Sequence, residues 1–193
     1  MKHFDIDPAT DVSHISGNAS DDTKRIIREL PTLFSFKDPK DGRPAGFAAS
    51  VVRRLRVVEV SVLGKKEDER KRDGVVVVEV DALEDTLNGG ANVHGGCHAF
   101  LIDLCSTLAL DALKLETNGQ PSMTVTQSLN IVYHAPAPGG VKLKIINTTI
   151  AAGARTASMR TEIWDATNRR LTSTGIHVKM NPTTPYAIAK GKL

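Results

Sequence analysis

The fold turns on residues 92–115, Asn92-Val93-His94-Gly95-Gly96-Cys97-His98-Ala99-Phe100-Leu101-Ile102-Asp103-Leu104-Cys105-Ser106-Thr107-Leu108-Ala109-Leu110-Asp111-Ala112-Leu113-Lys114-Leu115. The stretch is too long for a strand, lacks proline and is rich in Leu and Ala, so it reads as one long α-helix. On a helical wheel Leu101, Cys105, Leu108, Ala112 and Leu115 gather on one side, which is expected to rest on a sheet. Asp103 falls opposite, among Gly96, Ala99, Phe100, Ser106, Thr107 and Leu110. An ordinary solvent face would carry Lys, Glu and Gln, so these mostly small residues imply that another surface approaches closely. A carboxylate enclosed that way is costly unless paired, which makes Asp103 a candidate for catalysis; the plain alternative is a solvated Asp on an amphipathic helix.

Working outward, two Val-rich runs at 55–63 and 75–80 flank nine consecutive charged residues, 65–73, closed by Gly74. β-Branched runs favour strands, and mixed charges between them make a solvated hairpin loop. Beyond Asn118, Gly119 and Pro121 the pattern switches to period two. Met123, Val125, Leu129, Ile131 and Tyr133 share one face; Thr124, Thr126, Ser128 and Asn130 share the other. Further strands are expected at 141–150, 156–164 and 171–180, separated by Gly139-Gly140, Gly153 and Asn168. Two strands, a long helix and four more strands argue for an α+β fold with an antiparallel sheet. Ahead of it, Ile26, Ile27, Leu30, Leu33 and Phe34 predict a short helix with Asp21 or Asp22 as N-cap, interrupted at Pro31. Residues 37–46 hold two Pro and two Gly and read as a linker. The expected organisation is a flexible lead with a short helix over 1–46, a folded domain over 47–181 and a tail over 182–193.

At 193 residues, with 40% apolar residues, the chain fits one globular domain. The 25 Lys+Arg against 22 Asp+Glu give a net charge of +3, and aromatics are 4%, which argues against a basic stripe or stacking platform for nucleic acid. No uncharged apolar run reaches the roughly 18 residues of a membrane span. Residues 1–22 carry five Asp and one Lys with no apolar signal core, which predicts a cytoplasmic protein; a mitochondrial location stays open but is not signalled. Cys97 and Cys105, eight residues apart on one helix, stand about 12 Å apart and are expected to be reduced.

The helix opening is unusual. Asn92 is a favourable N-cap, yet Gly95 and Gly96 follow in the first turn, each costing up to about 1 kcal/mol against Ala. Glycines there let a ligand reach free N–H groups at the positive end of the helix dipole, where an oxyanion is stabilised; close helix–strand packing is the other reading. Gly95 and Asp103 are eight residues apart, hence about 12 Å along one helix, too far to serve one carbonyl. Two copies running antiparallel would bring Gly95 of one protomer to Asp103 of its partner, which predicts a two-fold dimer with sites at the interface.

Asn88, Val93-His94-Gly95-Gly96, Asp103, and Leu129-Asn130-Ile131-Val132-Tyr133 with Pro136 resemble the small acyl-CoA thioesterases of the hotdog superfamily, the group related to phenylacetyl-CoA thioesterases. The similarity runs over about residues 54–179, including Gly175-x-His177-x-Lys179. It implies a long helix wrapped by a curved antiparallel sheet of about six strands, and homodimers that often pair into homotetramers. It further implies that Asp103 is general base or nucleophile, that the Gly95 N–H polarises the thioester carbonyl, and that Asn88 and His94 line the same site. Thr126 stands where the family often carries a Ser that orients water or the carboxylate, and Ser128 where some relatives carry Asp. The expected reaction is hydrolysis of fatty acyl-CoA to free acid and CoA, without cofactor or metal.

Phosphates of CoA call for cations, and Arg155, Arg160 and Lys179 are the candidates. His94, Cys97 and His98 share i, i+3, i+4 spacing, but the glutamate of a zincin motif is missing, so a zinc site is not expected. His134 and His177 have no partner visible in the sequence and read as structural. A non-catalytic acyl-CoA or fatty-acid binding protein on the same fold is the alternative, against which the Asp103 carboxylate argues. A hotdog hydratase is disfavoured by the His-Gly-Gly opening.

Overall fold

The computed structural model describes residues 6–33, 35, 38, 40 and 45–182. Most of the expected linker and the tail beyond Pro182 lie outside the described residues. The elements are α1 (Asp21–Leu33), α2 (Ala49–Val52), β1 (Arg56–Gly64), β2 (Arg72–Asp81), a 3-10 turn (Glu84–Thr86), α3 (Gly95–Asn118), β3 (Val125–Tyr133), β4 (Lys142–Ala152), β5 (Thr156–Asp165) and β6 (Arg170–Met180).

One six-stranded sheet has the order β1-β2-β4-β5-β6-β3, with every neighbouring pair antiparallel. The pairs β1–β2, β4–β5 and β5–β6 are consecutive in the chain. From β3 at one edge, however, the chain crosses to the middle of the sheet, so β3 pairs with β6 rather than with the strand that follows it. Alternate residues point inward: Val76, Val78 and Val80 on β2, Leu143 and Ile145 on β4, Met159 and Ile163 on β5, all at most 1% exposed. They enclose α3, whose expected sheet side, Leu101, Cys105, Leu108, Ala112 and Leu115, is buried. Ser106 and Leu110, expected beside Asp103 on the other face, are buried too. The sheet curls around most of the circumference, as suits a helix that is apolar nearly all round. By length and composition α3 is apolar enough to cross a membrane, but 61% of its most apolar window is buried inside the fold. Two glycines let the helix in. A Cβ at Gly74 would fall 2.1 Å from the Ala109 carbonyl oxygen, and one at Gly175 would fall 2.7 Å from Ile102 Cγ2.

The segment before residue 34 departs from the flexible lead expected of it. The Ser16 N–H donates to the Val58 carbonyl and the Ser16 carbonyl accepts the Val60 N–H, while Asn18 Oδ1 and Nδ2 pair with the N–H and carbonyl of Val62, covering that sheet edge. Ser20, not Asp21 or Asp22, opens α1: its Oγ accepts the Thr23 N–H at 3.3 Å and donates to Glu116 of α3 at 2.7 Å. Val12, Ile15, Ile27 and Leu30 are 0–3% exposed and belong to the main core. Full burial of one such side chain contributes about 1.5–3 kcal/mol, against about 0–1 for a surface ion pair, so four apolar residues outweigh the acidic composition. Pro31 sits in the last turn of α1 and does not break it.

Candidate active site

The turn before α3 is built by Asn88, whose Oδ1 accepts the N–H groups of Gly90 (2.9 Å) and Asn92 (3.2 Å). Asn92 bonds back to the Gly90 carbonyl instead of capping the helix; the N-cap is His94, whose Nδ1 accepts the Gly96 N–H at 2.8 Å. The chain is pinned there by backbone bonds from the His94 N–H to the Thr86 carbonyl and from the Val93 N–H to the Ala137 carbonyl, and the helix starts two residues later than an Asn92 cap would place it. A side chain at Gly96 would meet that capping ring at 3.0 Å. The Gly95 N–H has no acceptor among the described residues, while its carbonyl accepts the Tyr133 hydroxyl at 2.9 Å. Tyr133 stands against Gly95, 3.3–3.5 Å from where a Cβ would be, so a side chain there would crowd the tyrosine.

Two turns further, Asp103 Oδ1 accepts the Thr126 hydroxyl at 2.9 Å. Strict alternation had put Thr126 on the face opposite Leu129. A β-bulge at Gln127 inserts a residue, so Thr126 pairs with Lys179 and Leu129 with His177, and both turn inward. His177, fully buried, completes the cluster: its Nε2 lies 3.0 Å from Thr126 Oγ1 and 3.3 Å from Asp103 Oδ1, and its Nδ1 lies 2.7 Å from Ser106 Oγ. Burial first, and the Lys179 charge second, lower the His177 pKa to about 4 against the pull of Asp103, so the ring is neutral near pH 7. The bonds then fix one tautomer. Thr126 donates to Asp103 and must accept from Nε2–H, which leaves Nδ1 to accept from Ser106. Read as structural from the sequence, His177 is the hub of the site. The available signal was the period-two run Ser173, Gly175, His177, Lys179, which aims four non-aliphatic residues at the core.

Lys179, expected at a site mouth, is 7% exposed and faces inward beside Asp103 and Asp111. It lines a cavity of about 310 Å³ with Asp103, Asp111, Ser122, Leu30 and Pro31. Arg160 points to the outer face of the sheet and pairs with Glu162. Arg155, exposed in the β4–β5 turn, lines a separate cavity of about 270 Å³ with Lys114. His98 is buried, bonds Ser173 Oγ at 2.8 Å through Nδ1 and is held near pKa 4 by burial, whereas His94 is exposed and engaged as a cap. The two do not converge with Cys97 on a common point, and among the described residues no three metal-binding side chains do. Burial pushes the Cys97 and Cys105 thiols up to about 11 and about 12, and both are free.

Within one protomer the bare Gly95 amide and the Asp103 cluster are thus separate, eight residues apart on α3, and joined only along β3 through Tyr133 and Thr126. Residues 90–172 match the family described as Thioesterase superfamily. Human acyl-coenzyme A thioesterase 13 is 30% identical over 118 residues, which cover 61% of this chain and 81% of that protein. Among solved structures, zebrafish thioesterase superfamily member 2 is 26% identical with a TM-score of 0.57, over 70% of this chain and 87% of that one. A putative thioesterase from Lactococcus lactis shares the fold at 14% identity and a TM-score of 0.58, over 70% and 98%. A buried helix wrapped by six antiparallel strands, an Asp held by Thr and His midway along it, and this degree of likeness lead to one conclusion: the chain belongs to the thioesterase superfamily of hotdog-fold thioester hydrolases.

Proposed function

We propose that the chain hydrolyses fatty acyl-CoA to free acid and CoA at two equivalent sites, each shared across a two-fold axis. The observation that carries the reading is the Ser106–His177–Thr126–Asp103 chain of hydrogen bonds, which ends on a carboxylate that is still half open. Asp103 Oδ1 is engaged, leaving Oδ2 to take a proton from water as that water attacks the thioester carbonyl; in the nucleophilic variant the same oxygen attacks directly. The developing oxyanion goes to the Gly95 N–H of the partner subunit, the one first-turn amide left without an acceptor, reinforced by the helix dipole. Collapse of the tetrahedral intermediate breaks the C–S bond, and the proton taken up by Asp103 goes to the sulfur so that CoA leaves as the thiol; in the nucleophilic variant the mixed anhydride left on Asp103 is then cleaved by water, which supplies that proton and frees the acid.

Self-association is supported by β3. It pairs with β6 on one side, and its other edge runs from Val125 to Tyr133 without a partner among the described residues, a long edge that needs covering. Antiparallel pairing of two such edges would run the two α3 helices in opposite directions, as the shared site requires. Arg155 and Lys114 offer cations for the phosphates of CoA at the rim of the polar cavity beside Ser122; Arg160 pairs with Glu162 on the outer face, and Lys179 faces the other cavity. The test is hydrolysis of an acyl-CoA panel by wild type and Asp103→Ala. Turnover lost in the variant is expected; binding by both proteins without turnover by either would instead establish the non-catalytic binder.

A further inference from the structure

The cavity reached from Asp103 holds polar groups that the thioester chemistry does not use. Asp111 lies two turns after Asp103 on α3 and is fully buried. Its Oδ1 accepts both the N–H (2.7 Å) and the hydroxyl (2.6 Å) of Ser122, but Oδ2 has no hydrogen-bond partner. The Lys179 ammonium lines the same cavity and makes no hydrogen bond or ion pair within 4 Å among the described residues, although its charge is felt by both Asp103 and Asp111. A buried carboxylate oxygen without a partner is costly, and an orphan of this kind needs a partner. The remaining walls are mostly apolar, with Leu30 and Pro31 from α1, Leu104, Leu108, Met123 and Val125, but Thr107 and Thr124 line them too, and Thr124 Oγ1 is also without a hydrogen-bond partner.

Resting on the thioester-hydrolase reading, we infer that this cavity receives the acyl group, and that Asp111 with Lys179 selects acyl groups carrying a hydroxyl near the distal end. A hydroxyl matches both orphans at once: its hydrogen goes to Asp111 Oδ2 and its oxygen accepts from Lys179 Nζ. Burial raises the Asp111 pKa to about 6, so near neutrality the carboxylate is still mostly ionised and accepting. Length follows from the helix. Eight residues span about 12 Å, and an extended chain advances roughly 1.3 Å per C–C bond of ~1.5 Å, which places the hydroxyl about nine bonds from the thioester carbon. Leu30 and Pro31 line the same cavity, so the N-terminal segment contributes to the acyl site.

The experiment compares 8-hydroxyoctanoyl-, 10-hydroxydecanoyl- and 12-hydroxydodecanoyl-CoA with the unsubstituted thioesters of the same length, in wild type and in Asp111→Leu. Wild type is expected to favour the hydroxylated member at least tenfold in kcat/KM at the ten-carbon length, and the ratio should fall to about one in the variant. A wild-type ratio near one at every length would overturn the inference, the orphans then being met by water, while leaving thioester hydrolysis intact. Calorimetric binding of the matching non-hydrolysable thioethers, S-(10-hydroxydecyl)-CoA and S-decyl-CoA, reads the cavity without turnover and without a variant. Tighter binding of the hydroxylated thioether supports the inference even if no thioester is cleaved, and equal binding overturns it.

Discussion

His177 Nε2 stands 3.3 Å from Asp103 Oδ1, yet the pair is not a salt bridge: burial keeps the imidazole neutral, and Thr126 shares both atoms. The ring therefore sets direction rather than charge. By donating to Thr126 it obliges that hydroxyl to donate to Asp103, which holds one carboxylate oxygen and leaves the other for chemistry.

Removing the middle of this chain should cost activity more than binding. Thr126→Val deletes the hydroxyl at nearly constant volume, and a hydrogen bond to a charged group is worth about 1.5–3 kcal/mol, so kcat should fall about 10- to 100-fold. Thr126→Ser keeps the donor and should stay within a few-fold of wild type. Steady-state kinetics on a good acyl-CoA check both, and equal losses in the two variants would count against the hydroxyl.

Acid should destabilise the fold over a defined window. His98 and His177 have native pKa values of about 4, below the ordinary 6.5, so the unfolded chain binds more protons between these values. Their contribution is complete above about pH 6.5 and is lost as pH falls toward 4. Asp111, raised to about 6, acts in the opposite sense and gains stability on acidification. Two groups against one give a net loss, so the melting temperature should drop between pH 6.5 and 4.5, and drop more steeply in Asp111→Asn. A flat profile by scanning calorimetry would contradict the neutral, buried state of the two rings.

The helix and the strands were legible because their signals are local. The helical spacing across residues 92–115, the β-branched runs of β1 and β2 and the turn residues that separate β4, β5 and β6 depend on near neighbours alone. His177 was not legible, since its partners Thr126 and Ser106 are 51 and 71 residues away in sequence. Nor was the inward turn of Thr126, because a bulge at Gln127 reverses the alternation without leaving a compositional mark. Around Val12 and Ile15 the flanking aspartates hid a sparse apolar pattern, and Ile27 and Leu30, legible as a helix, gave no sign of the surface of β1 and α3 on which they close.

That last point gives the N-terminal segment a measurable role. Leu30→Ala removes a fully buried side chain from the core and should destabilise by about 2–5 kcal/mol, as in other large-to-small changes. Urea denaturation with a single transition for wild type and variant alike would show that α1 unfolds with the domain; an unchanged midpoint would return it to the status of an appendage.

The crossing of α3 over β6 is equally testable. Gly175→Ala would drive a methyl to 2.7 Å from Ile102 Cγ2, an overpacking expected to cost about 1–3 kcal/mol. Ile102→Ala opens room at that contact, so the double variant should be more stable than the sum of the two single losses predicts. Additive losses would place the strain elsewhere.

Complementation decides whether the site is shared between protomers. Asp103→Ala and Gly95→Val should each be inactive, the second because a branched side chain collides with Tyr133 and displaces the free amide. If each site takes its carboxylate from one chain and its amide from the other, a mixed dimer carries one site with both groups intact. Random exchange of equal amounts makes half the dimers mixed, so about a quarter of wild-type activity should return. If both groups served within one chain, no mixture of the two variants could recover any. Unfolding and refolding the pair together, then assaying thioester hydrolysis, separates these outcomes.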